Sequence, residues 1–233
     1  MSKDKDKKKN SILKGGRATE SAYLKDKNKF NKSSRAWLER QINDPYVKQS
    51  KADGYRSRAV YKLQEIDEHF KIFSQGQKIV DLGAAPGSWC EYIVRKLNGK
   101  VDIVGVDLLP VKPIEHCVFF EGDFTEQEVV DEMLKAIGGD KVDVVLSDMA
   151  PNATGHSKTD QLRIAYMLEL ALDFAVQNLK PNGSFVCKVL RGGGEKAIMD
   201  LVKKHFAKIK HYKPAASRQG SKEMFMVATG FRG

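Results

Sequence analysis

Short apolar runs alternate with amphipathic stretches along the middle of the chain, and this alternation restricts the fold more than any other feature of the sequence. The runs have the length and composition of β-strands and cover residues 78–82, 101–106, 118–121, 142–148 and 184–190. The amphipathic stretches have apolar residues at helical spacing and cover residues 88–97, 125–136, 161–179 and 194–206. Because strands that alternate with helices form parallel sheets covered on both faces, the pattern predicts an α/β fold.

Further elements are predicted on either side of this pattern. Residues 208–212 and 223–229 have strand patterns with no helix between them, so they predict an antiparallel edge that brings the sheet to seven strands. Before the first strand, apolar residues at helical spacing predict helices at 34–43 and 57–70. The Asp-Pro pair at 44–45 ends the first of these helices.

The segment 46–58 combines basic and aromatic side chains, among them Tyr46 and Tyr55. Such a mixture suits RNA, because cations meet phosphates while rings stack on bases. A solvated linker has the same composition, so the segment by itself leaves both interpretations open.

Positive charge is concentrated at the beginning of the chain. Residues 1–35 contain twelve Lys or Arg and four Asp or Glu, which accounts for +8 of the net charge of +10. A segment this polar cannot bury enough apolar surface to offset the entropy of ordering. We therefore predict a disordered basic arm at 1–33 and a single catalytic domain at 34–233. The arm would attract phosphate backbones, or it is a solvating tail without a specific partner.

Several classes of protein are disfavoured by what the sequence contains. The apolar stretches are too short for a membrane span, and the first ten residues lack the apolar core of a signal peptide. The three cysteines form no CxxC pair, and the five histidines show no ligand spacing. We expect a soluble cytoplasmic protein with reduced thiols, no metal and no membrane partner.

The first predicted strand runs directly into a glycine-containing loop, Asp81-Leu-Gly-Ala-Ala-Pro-Gly-Ser-Trp89. Ligands of open α/β sheets bind beyond the carboxyl ends of the strands, so this loop is a candidate binding segment. Gly83 and Gly87 allow a tight turn and a close approach of the backbone to a ligand. The loop lacks the GxGxxG pattern of dinucleotide sites, which makes a nicotinamide cofactor the minority interpretation.

Aspartates follow the next two predicted strands. Asp107 is well placed to accept hydrogen bonds from the hydroxyls of a nucleoside ribose, and Asp123 to accept from an adenine amino group. A helix cap or a turn is the simpler explanation of either residue alone. Aspartates at successive strand ends together favour a nucleoside ligand.

Two more polar residues belong to the later strands. Asp148 follows the fourth strand, next to the reactive end of such a ligand, and Lys188 interrupts the apolar run of the fifth. Buried lysines are rare unless they are paired or functional. The alternative for Lys188 is a stem that carries its ammonium out to solvent at the strand end.

From about residue 34 to 230 the sequence resembles the FtsJ family of ribose 2′-O-methyltransferases, whose bacterial members act on large-subunit ribosomal RNA. The segments that carry the resemblance are Arg56-Ser-Arg-Ala59, Tyr61-Lys-Leu63, the 81–89 loop, Val106-Asp-Leu-Leu-Pro110, 147–152, Lys188, and Val227-Ala-Thr-Gly230 after Glu223. The resemblance implies a Rossmann-like class I methyltransferase fold with S-adenosyl-L-methionine as cofactor. It implies two sets of site residues, a catalytic tetrad of Lys62, Asp148, Lys188 and Glu223, and a cofactor site of Gly83, Ala84, Pro86, Gly87, Trp89, Asp107, Asp123 and Asp148.

The same resemblance implies a substrate and a division of catalytic roles. The substrate would be a uridine ribose in the peptidyl-transferase region of 23S RNA, within the 50S subunit or its precursor, and a monomeric enzyme would act in ribosome maturation. Lys188 is the candidate general base, oriented by Asp148, with Lys62 steering the hydroxyl and Glu223 holding Lys62 or the ribose. Alternatively, Lys188 stays protonated as an electrostatic guide. Nothing in the periodicity distinguishes Lys62 or Glu223 from surface residues.

Three other functions are consistent with parts of this pattern. A transfer-RNA or cap 2′-O-methyltransferase would use the same tetrad, although the short chain favours the bacterial ribosomal branch. An RNA-binding or ribosome-assembly factor could retain a relic cofactor pocket, but the complete tetrad argues against it. A dehydrogenase is disfavoured by the loop sequence.

Overall fold

The computed structural model describes residues 32–139, 141–150, 156–190, 195–218 and 220–233. Its contacts divide the chain into two units, Met1–Asp44 and Pro45–Gly233. Within the first unit the described part is helix α1 (Lys32–Asn43), in the place of the helix predicted at 34–43. The arm predicted at 1–33 lies almost entirely outside the described residues, so the proposed domain boundary stays a prediction.

The second unit is an α/β structure in which helices and strands alternate over most of its length. Its helices are α2 (Pro45–Ala52), α3 (Val60–Phe70), α4 (Ser88–Leu97), α5 (Gln127–Ala136), α6 (Ser157–Asn178) and α7 (Glu195–His205). Its strands are β1 (Lys78–Leu82), β2 (Asp102–Asp107), β3 (Cys117–Glu121), β4 (Val142–Ser147), β5 (Leu179–Leu190), β6 (Phe206–Tyr212) and β7 (Glu223–Phe231). The predicted fold class is confirmed.

Within the described residues, seven strands form one sheet in the order β3-β2-β1-β4-β5-β7-β6. The strands from β3 to β5 pair in parallel, while β7 pairs antiparallel with both β5 and β6. This is the mostly parallel sheet with an antiparallel edge that the sequence predicts. The chain leaves β1 toward β2 on one side and returns to β4 on the other, so a crevice opens at the carboxyl ends of β1 and β4.

Side chains of the central strands alternate between two apolar layers. Val80 and Val145 pack in the layer that includes α6 and α7, whereas Ile79 and Val144 pack with α3 and α4. Both layers are fully buried at these positions, which explains why the strands read as continuous apolar runs rather than as alternating ones. The two layers hold the strand ends, and therefore the loops that follow them, in fixed positions.

The segment 46–58, left open between an RNA-contacting region and a linker, contains helix α2. Pro45 occupies its first position, where a missing N–H costs nothing, so the Asp-Pro pair ends one helix and begins the next. The rings of Tyr46 and Tyr55 lie 5.5 and 6.3 Å from the ring of Tyr61, centroid to centroid. These rings therefore pack within the fold.

Several predicted boundaries differ from the structure, among them the starts of α6 at Ser157 and β6 at Phe206, and two of the differences have identifiable reasons. The helix predicted at 57–70 begins at Val60, because the preceding residues form a turn in which Val60 N–H donates to the Ser57 carbonyl. Strand β5 begins at Leu179, five residues earlier than predicted, since Leu179 pairs with Val142 across a register shift. None of the helices in the described part of the chain is both long and apolar enough to cross a membrane.

Candidate active site

A cavity of about 570 Å³, here called the larger cavity, opens at the carboxyl ends of β1 to β4. It is bounded by the loops that follow these strands and by one face of α6. The residues that line it are Gly83, Ala85, Val106 to Leu109, Gly122 to Thr125, Asp148 to Ala150, Tyr166, Met167 and Leu170. Of the predicted cofactor residues, Gly83, Asp107, Asp123 and Asp148 therefore lie together around one space.

The loop after β1 is held tightly against its neighbours. Gly83 has φ +81°, and a Cβ at this position would lie 2.4 Å from Cγ of Met149. The N–H groups of Gly83 and Ala84 both donate to the Val106 carbonyl, at 2.8 and 3.1 Å. Only glycine satisfies both the left-handed backbone and the absence of space, so the loop leaves backbone rather than a side chain at the cavity wall.

The two aspartates that follow β2 and β3 both line the cavity and hold turns. Asp107 accepts the Ala85 N–H on Oδ2 and the Leu109 N–H on Oδ1, each at 2.9 Å. Asp123 Oδ1 accepts both the N–H and the hydroxyl of Thr125, at 2.9 and 2.8 Å. The turn explanation is therefore correct for both, and it does not exclude ligand binding, because a carboxylate has further lone pairs.

The other four predicted cofactor residues lie outside the lining of the larger cavity and support its loop instead. Trp89 is buried, donates from Nε1 to the Ala59 carbonyl at 2.9 Å and packs on Phe225. Ala84 is also buried. Gly87 precedes α4 with φ +96°, and the Pro86 carbonyl faces Arg56. Their predicted role at the cofactor stays a prediction, and the structure gives them a structural role.

Arg56 joins the loop after β1 to the loop after β2. Its guanidinium donates to the carbonyls of Pro86 at 3.1 Å, Lys112 at 2.6 Å and Pro113 at 2.8 Å. In the sequence, Arg56 belongs to a segment that resembles the FtsJ family but has no function assigned to it. Three backbone acceptors from distant segments show that it sets the relative position of two loops that border the larger cavity.

Asp81 is a buried carboxyl group in β1, two residues before Gly83. The Cys90 thiol donates to its Oδ2 at 3.2 Å, while Oδ1 is buried and has no hydrogen-bond partner among the described residues. Burial, with smaller contributions from Asp148 and Asp107, raises the pKa of Asp81 to about 7, against an opposing effect of the Cys90 hydrogen bond. The native state therefore favours the protonated form of this carboxyl more than the unfolded chain does.

The structure brings the four predicted catalytic residues together as one chain of ion pairs. Nζ of Lys188 lies 2.7 Å from Oδ1 of Asp148 and also donates to the Asp148 carbonyl at 2.6 Å. Nζ of Lys62 lies 3.6 Å from Oδ2 of Asp148 and 2.8 Å from Oε1 of Glu223. All four side chains are at most 17% exposed. Two cations and two carboxylates thus balance one another in a largely desolvated cluster.

Each residue of this cluster comes from a different element. Lys62 lies on α3, Asp148 follows β4, Lys188 lies on β5, and Glu223 begins β7. The side chain of Lys188 does not extend its ammonium into solvent. The Asp148 carboxylate and carbonyl hold the ammonium near the carboxyl end of β4. Glu223 is fixed in turn by the hydroxyl of Ser217, which donates to it at 3.0 Å.

A second, smaller cavity of about 270 Å³ lies at the other end of the ion-pair chain. It is lined by residues of the turn before α3, of α3 itself and of the segment that precedes β7, namely Ser57, Arg58, Ala59, Lys62, Arg218, Ser221 and Glu223. Asp148 lines the larger cavity, whereas Lys62 and Glu223 line the smaller one. The four charged residues therefore connect two separate spaces.

Several residues of the larger cavity were not identified from the sequence. Leu108, Leu109 and Tyr166 are large apolar residues that are 60 to 69% exposed at its rim. Tyr166, Met167 and Leu170 lie on α6, where their spacing resembles that of any amphipathic helix. The one signal available in the sequence was the pair of leucines that directly follows Asp107 at a predicted strand end. Across the described residues, no group of His, Cys, Asp and Glu is arranged to hold a metal ion.

Comparison with known proteins gives one family match. Residues 55–231 match the model of the family described as FtsJ-like methyltransferase. This match includes every element from α3 to β7 and both cavities.

Individual proteins also resemble the chain over nearly its full length. It is 49% identical over 219 residues to a Caulobacter sp. (strain K31) protein named ribosomal RNA large subunit methyltransferase E, covering 94% of this chain and 95% of that one. A protein of the same name from Sphingopyxis alaskensis is 47% identical, with 94% of each chain covered. Among solved structures, a Plasmodium falciparum protein described as a candidate ribosomal RNA methyltransferase matches with a TM-score of 0.70 and 28% identity, over 77% of this chain and 100% of that one.

Proposed function

The chain belongs to the FtsJ-like methyltransferase family, and on that premise we propose that it transfers a methyl group from S-adenosyl-L-methionine to a ribose 2′-hydroxyl of large-subunit ribosomal RNA. The relatives that cover almost all of the chain carry the name ribosomal RNA large subunit methyltransferase E, which supports this substrate class. The observation that carries the proposal is the desolvated chain of Lys188, Asp148, Lys62 and Glu223 at the edge of the larger cavity.

The larger cavity fits the adenosine part of the proposed cofactor. Its volume of about 570 Å³ is in the range of small-molecule sites, and its wall at Gly83 is bare backbone. Asp107 would accept the ribose hydroxyls and Asp123 the adenine amino group, since both carboxylates are held rigidly at the wall. When bound, the cofactor supplies a methyl group activated by a sulfonium.

The charged cluster is suited to activating a weakly acidic hydroxyl. In this proposal Nζ of Lys188 takes the proton of the acceptor hydroxyl, while the Asp148 carboxylate and carbonyl keep Lys188 in position. Lys62 steers the hydroxyl, and Glu223 holds Lys62 at 2.8 Å. A base must be neutral when the acceptor arrives, so the Lys188 ion pair has to give up a proton first. The competing role for Lys188 is that of a permanently charged guide.

The finer identity of the substrate is part of the same proposal. We place the target at a uridine of the peptidyl-transferase region of 23S RNA, within the 50S subunit or its precursor, and we propose that a monomer acts in the cytoplasm during ribosome maturation. The family resemblance supports this choice, and the names of the bacterial relatives agree with a large-subunit substrate.

The decisive experiment incubates the full chain with labelled S-adenosylmethionine and four substrates in parallel, namely 50S subunits, 50S precursors, free 23S RNA and transfer RNA. We expect label on 50S particles, retained at a single ribose when the RNA is digested and mapped. Label on a base or on transfer RNA would reject the proposed substrate. Binding to 50S particles without any transfer would favour an assembly factor with a relic pocket.

A further inference from the structure

The smaller cavity combines positive charge, hydroxyl groups and contact with two residues of the catalytic cluster. Three cationic side chains line it, Arg58, Lys62 and Arg218, against one carboxylate, Glu223. Ser57 and Ser221 add hydroxyl groups. We propose that this cavity is a phosphate subsite that binds the 3′-phosphate of the nucleotide whose 2′-hydroxyl is methylated, an inference that rests on the proposed function.

Arg58 is built into the wall of this cavity. One terminal nitrogen of its guanidinium donates to the Ala216 carbonyl, and the guanidinium carbon lies 5.5 Å from the centre of the Tyr46 ring. These contacts fix the direction of a long side chain, so less entropy is lost when the cation meets an anion. Arg58 therefore supplies a positive charge at a defined position.

Arg218 and Ser221, which also line the cavity, belong to the connection between β6 and β7, and the described part of this connection is attached to α3. Glu65 of α3 accepts the N–H groups of Ala215 at 2.6 Å and Ala216 at 2.8 Å. Nζ of Lys213 donates to the Ser221 carbonyl at 2.7 Å. The described residues of this connection are thus held against the helix that carries Lys62, and Arg218 faces the same space as the catalytic cluster.

The chemistry of ribose methylation calls for an anion site on this side. Displacement at a methyl group is in line, so the acceptor oxygen must approach from the side opposite the departing sulfur. The larger cavity lies on the Asp148 side of the cluster, which leaves the Lys62 and Glu223 side for the acceptor. The 2′-oxygen and the 3′-phosphate are attached to adjacent carbons of the ribose, so a phosphate must come to rest close to the cluster.

Arginine is the side chain that fits this task. A guanidinium presents parallel N–H groups to two phosphate oxygens, whereas a lysine offers a single point of charge. Two arginines that line the same cavity of about 270 Å³ would hold the phosphate next to the cluster. The cavity would contribute to binding the acceptor equally before and during the reaction, while the proton transfer stays with the catalytic cluster.

The direct test measures binding of uridine 3′-monophosphate and uridine 5′-monophosphate to the full chain by NMR titration. We expect the wild type to prefer the 3′-isomer by about tenfold or more, because hydrogen bonds to a charged group are among the stronger ones. Arg218→Ala should abolish the preference and Arg218→Lys restore it in part. Lys135→Ala, which removes an exposed lysine of α5, should leave it unchanged. Equal affinities of the wild type for the two isomers would overturn the subsite.

A second measurement follows methyl transfer to 50S subunits. Arg218→Ala should raise KM for the subunits about tenfold or more and change kcat at saturation by less than about twofold, since the lost contact exists before and during the reaction. An unchanged KM would overturn the subsite. If the wild type transfers no methyl group to 50S subunits, the proposed function fails, and the nucleotide titration still decides independently whether the cavity binds a 3′-phosphate.

Discussion

The two cavities are built in different ways although one chain of ion pairs connects them. The larger cavity is formed mainly by residues that directly follow parallel strands, such as Gly83, Asp107 and Asp123. The smaller cavity is formed by the turn before α3 and by the connection between the antiparallel strands β6 and β7. The rule that ligands bind at the carboxyl ends of parallel strands therefore locates the first cavity and not the second.

The cavities also differ in charge. Carboxylates of Asp107, Asp123 and Asp148 line the larger cavity beside an apolar rim, whereas arginines line the smaller one. A nucleoside offers hydroxyl and amino donors to the former, and a phosphodiester offers an anion to the latter. With the two proposed ligands, the protein would separate them by the sign of charge, with a balanced cluster at the junction.

The largest effect is expected at the junction itself, where Lys188 is paired with Asp148. Lys188→Met should lower single-turnover methyl transfer by about 100- to 10,000-fold, the usual contribution of a general base, while cofactor affinity measured by calorimetry stays within about twofold. Lys180→Met on the same strand is the matched control, because Lys180 pairs with Asp143 away from the cavities. Near-normal transfer by Lys188→Met would remove this residue from catalysis.

Arginine at the same position separates the two roles proposed for Lys188. A guanidinium keeps the charge but cannot act as a base at ordinary pH. If Lys188 is the base, Lys188→Arg should be as inactive as Lys188→Met, and the rise of the wild-type rate with pH should disappear. Substantial rescue by arginine would show that Lys188 acts as a charged guide.

A second prediction concerns the buried carboxyl group of Asp81, which lies in β1 below the larger cavity's loop, and its effect on stability at different pH values. The pKa of Asp81 rises from an ordinary value of 3.8 to about 7 on folding, so the native state favours the protonated carboxyl. The stabilisation is complete below the unfolded-state pKa and is lost as the pH rises toward 7. The loss corresponds to about 4 kcal/mol at most, at 1.36 kcal/mol for each pKa unit.

Urea unfolding at several pH values tests this prediction. Asp81→Asn mimics the protonated carboxyl, so the wild type should become progressively less stable relative to this variant between pH 5 and pH 7, and the difference should level off above pH 7. Glu132→Gln, an exposed substitution on α5, controls for the change in net charge. A stability difference that does not vary with pH would show that Asp81 ionises as readily in the native state as in the unfolded chain.

A third, smaller effect tests whether the two cavities are independent. Asp107→Ala should weaken S-adenosylmethionine binding by about 1 to 3 kcal/mol, the cost of leaving ligand donors unpaired. It should leave the preference for uridine 3′-monophosphate unchanged. Asp102→Ala at the other end of β2, where the side chain is exposed, is the control. Unchanged cofactor affinity in calorimetry would mean that the adenosine does not lie against Asp107.

The smallest effect is expected from the arm, outside the described residues. Deleting 1–33 should preserve the fold and cofactor affinity but weaken RNA binding and reduce its salt dependence, since each lysine on a phosphate adds to the salt slope. Replacing the arm's basic residues by glutamine at constant length separates charge from tethering. Equal salt slopes for the wild type, the deletion and the glutamine variant would identify the arm as a passive tail. The attraction of RNA would then be due to the folded unit.

The contrast between the cavities explains which site residues the sequence revealed. Asp107, Asp123 and Asp148 were found because each follows a recognisable strand. Lys188 was found because a lysine within an apolar run is unusual. Lys62 and Glu223 carry no such mark, and only family resemblance identified them before the structure showed their ion pair.

The sequence alone determined the α/β class, the seven strands and the carboxyl-end loops, because strand and helix periodicities are local and parallel topology follows from their alternation. Tertiary structure alone decided that Arg56 ties two loops, that Glu65 holds the 213–222 connection and that Arg58 and Arg218 face one cavity. Arg58 and Arg218 are 160 positions apart, and Glu65 bonds to residues about 150 positions later. Such contacts depend on how the antiparallel edge packs against α3, and no local pattern of residues encodes that arrangement.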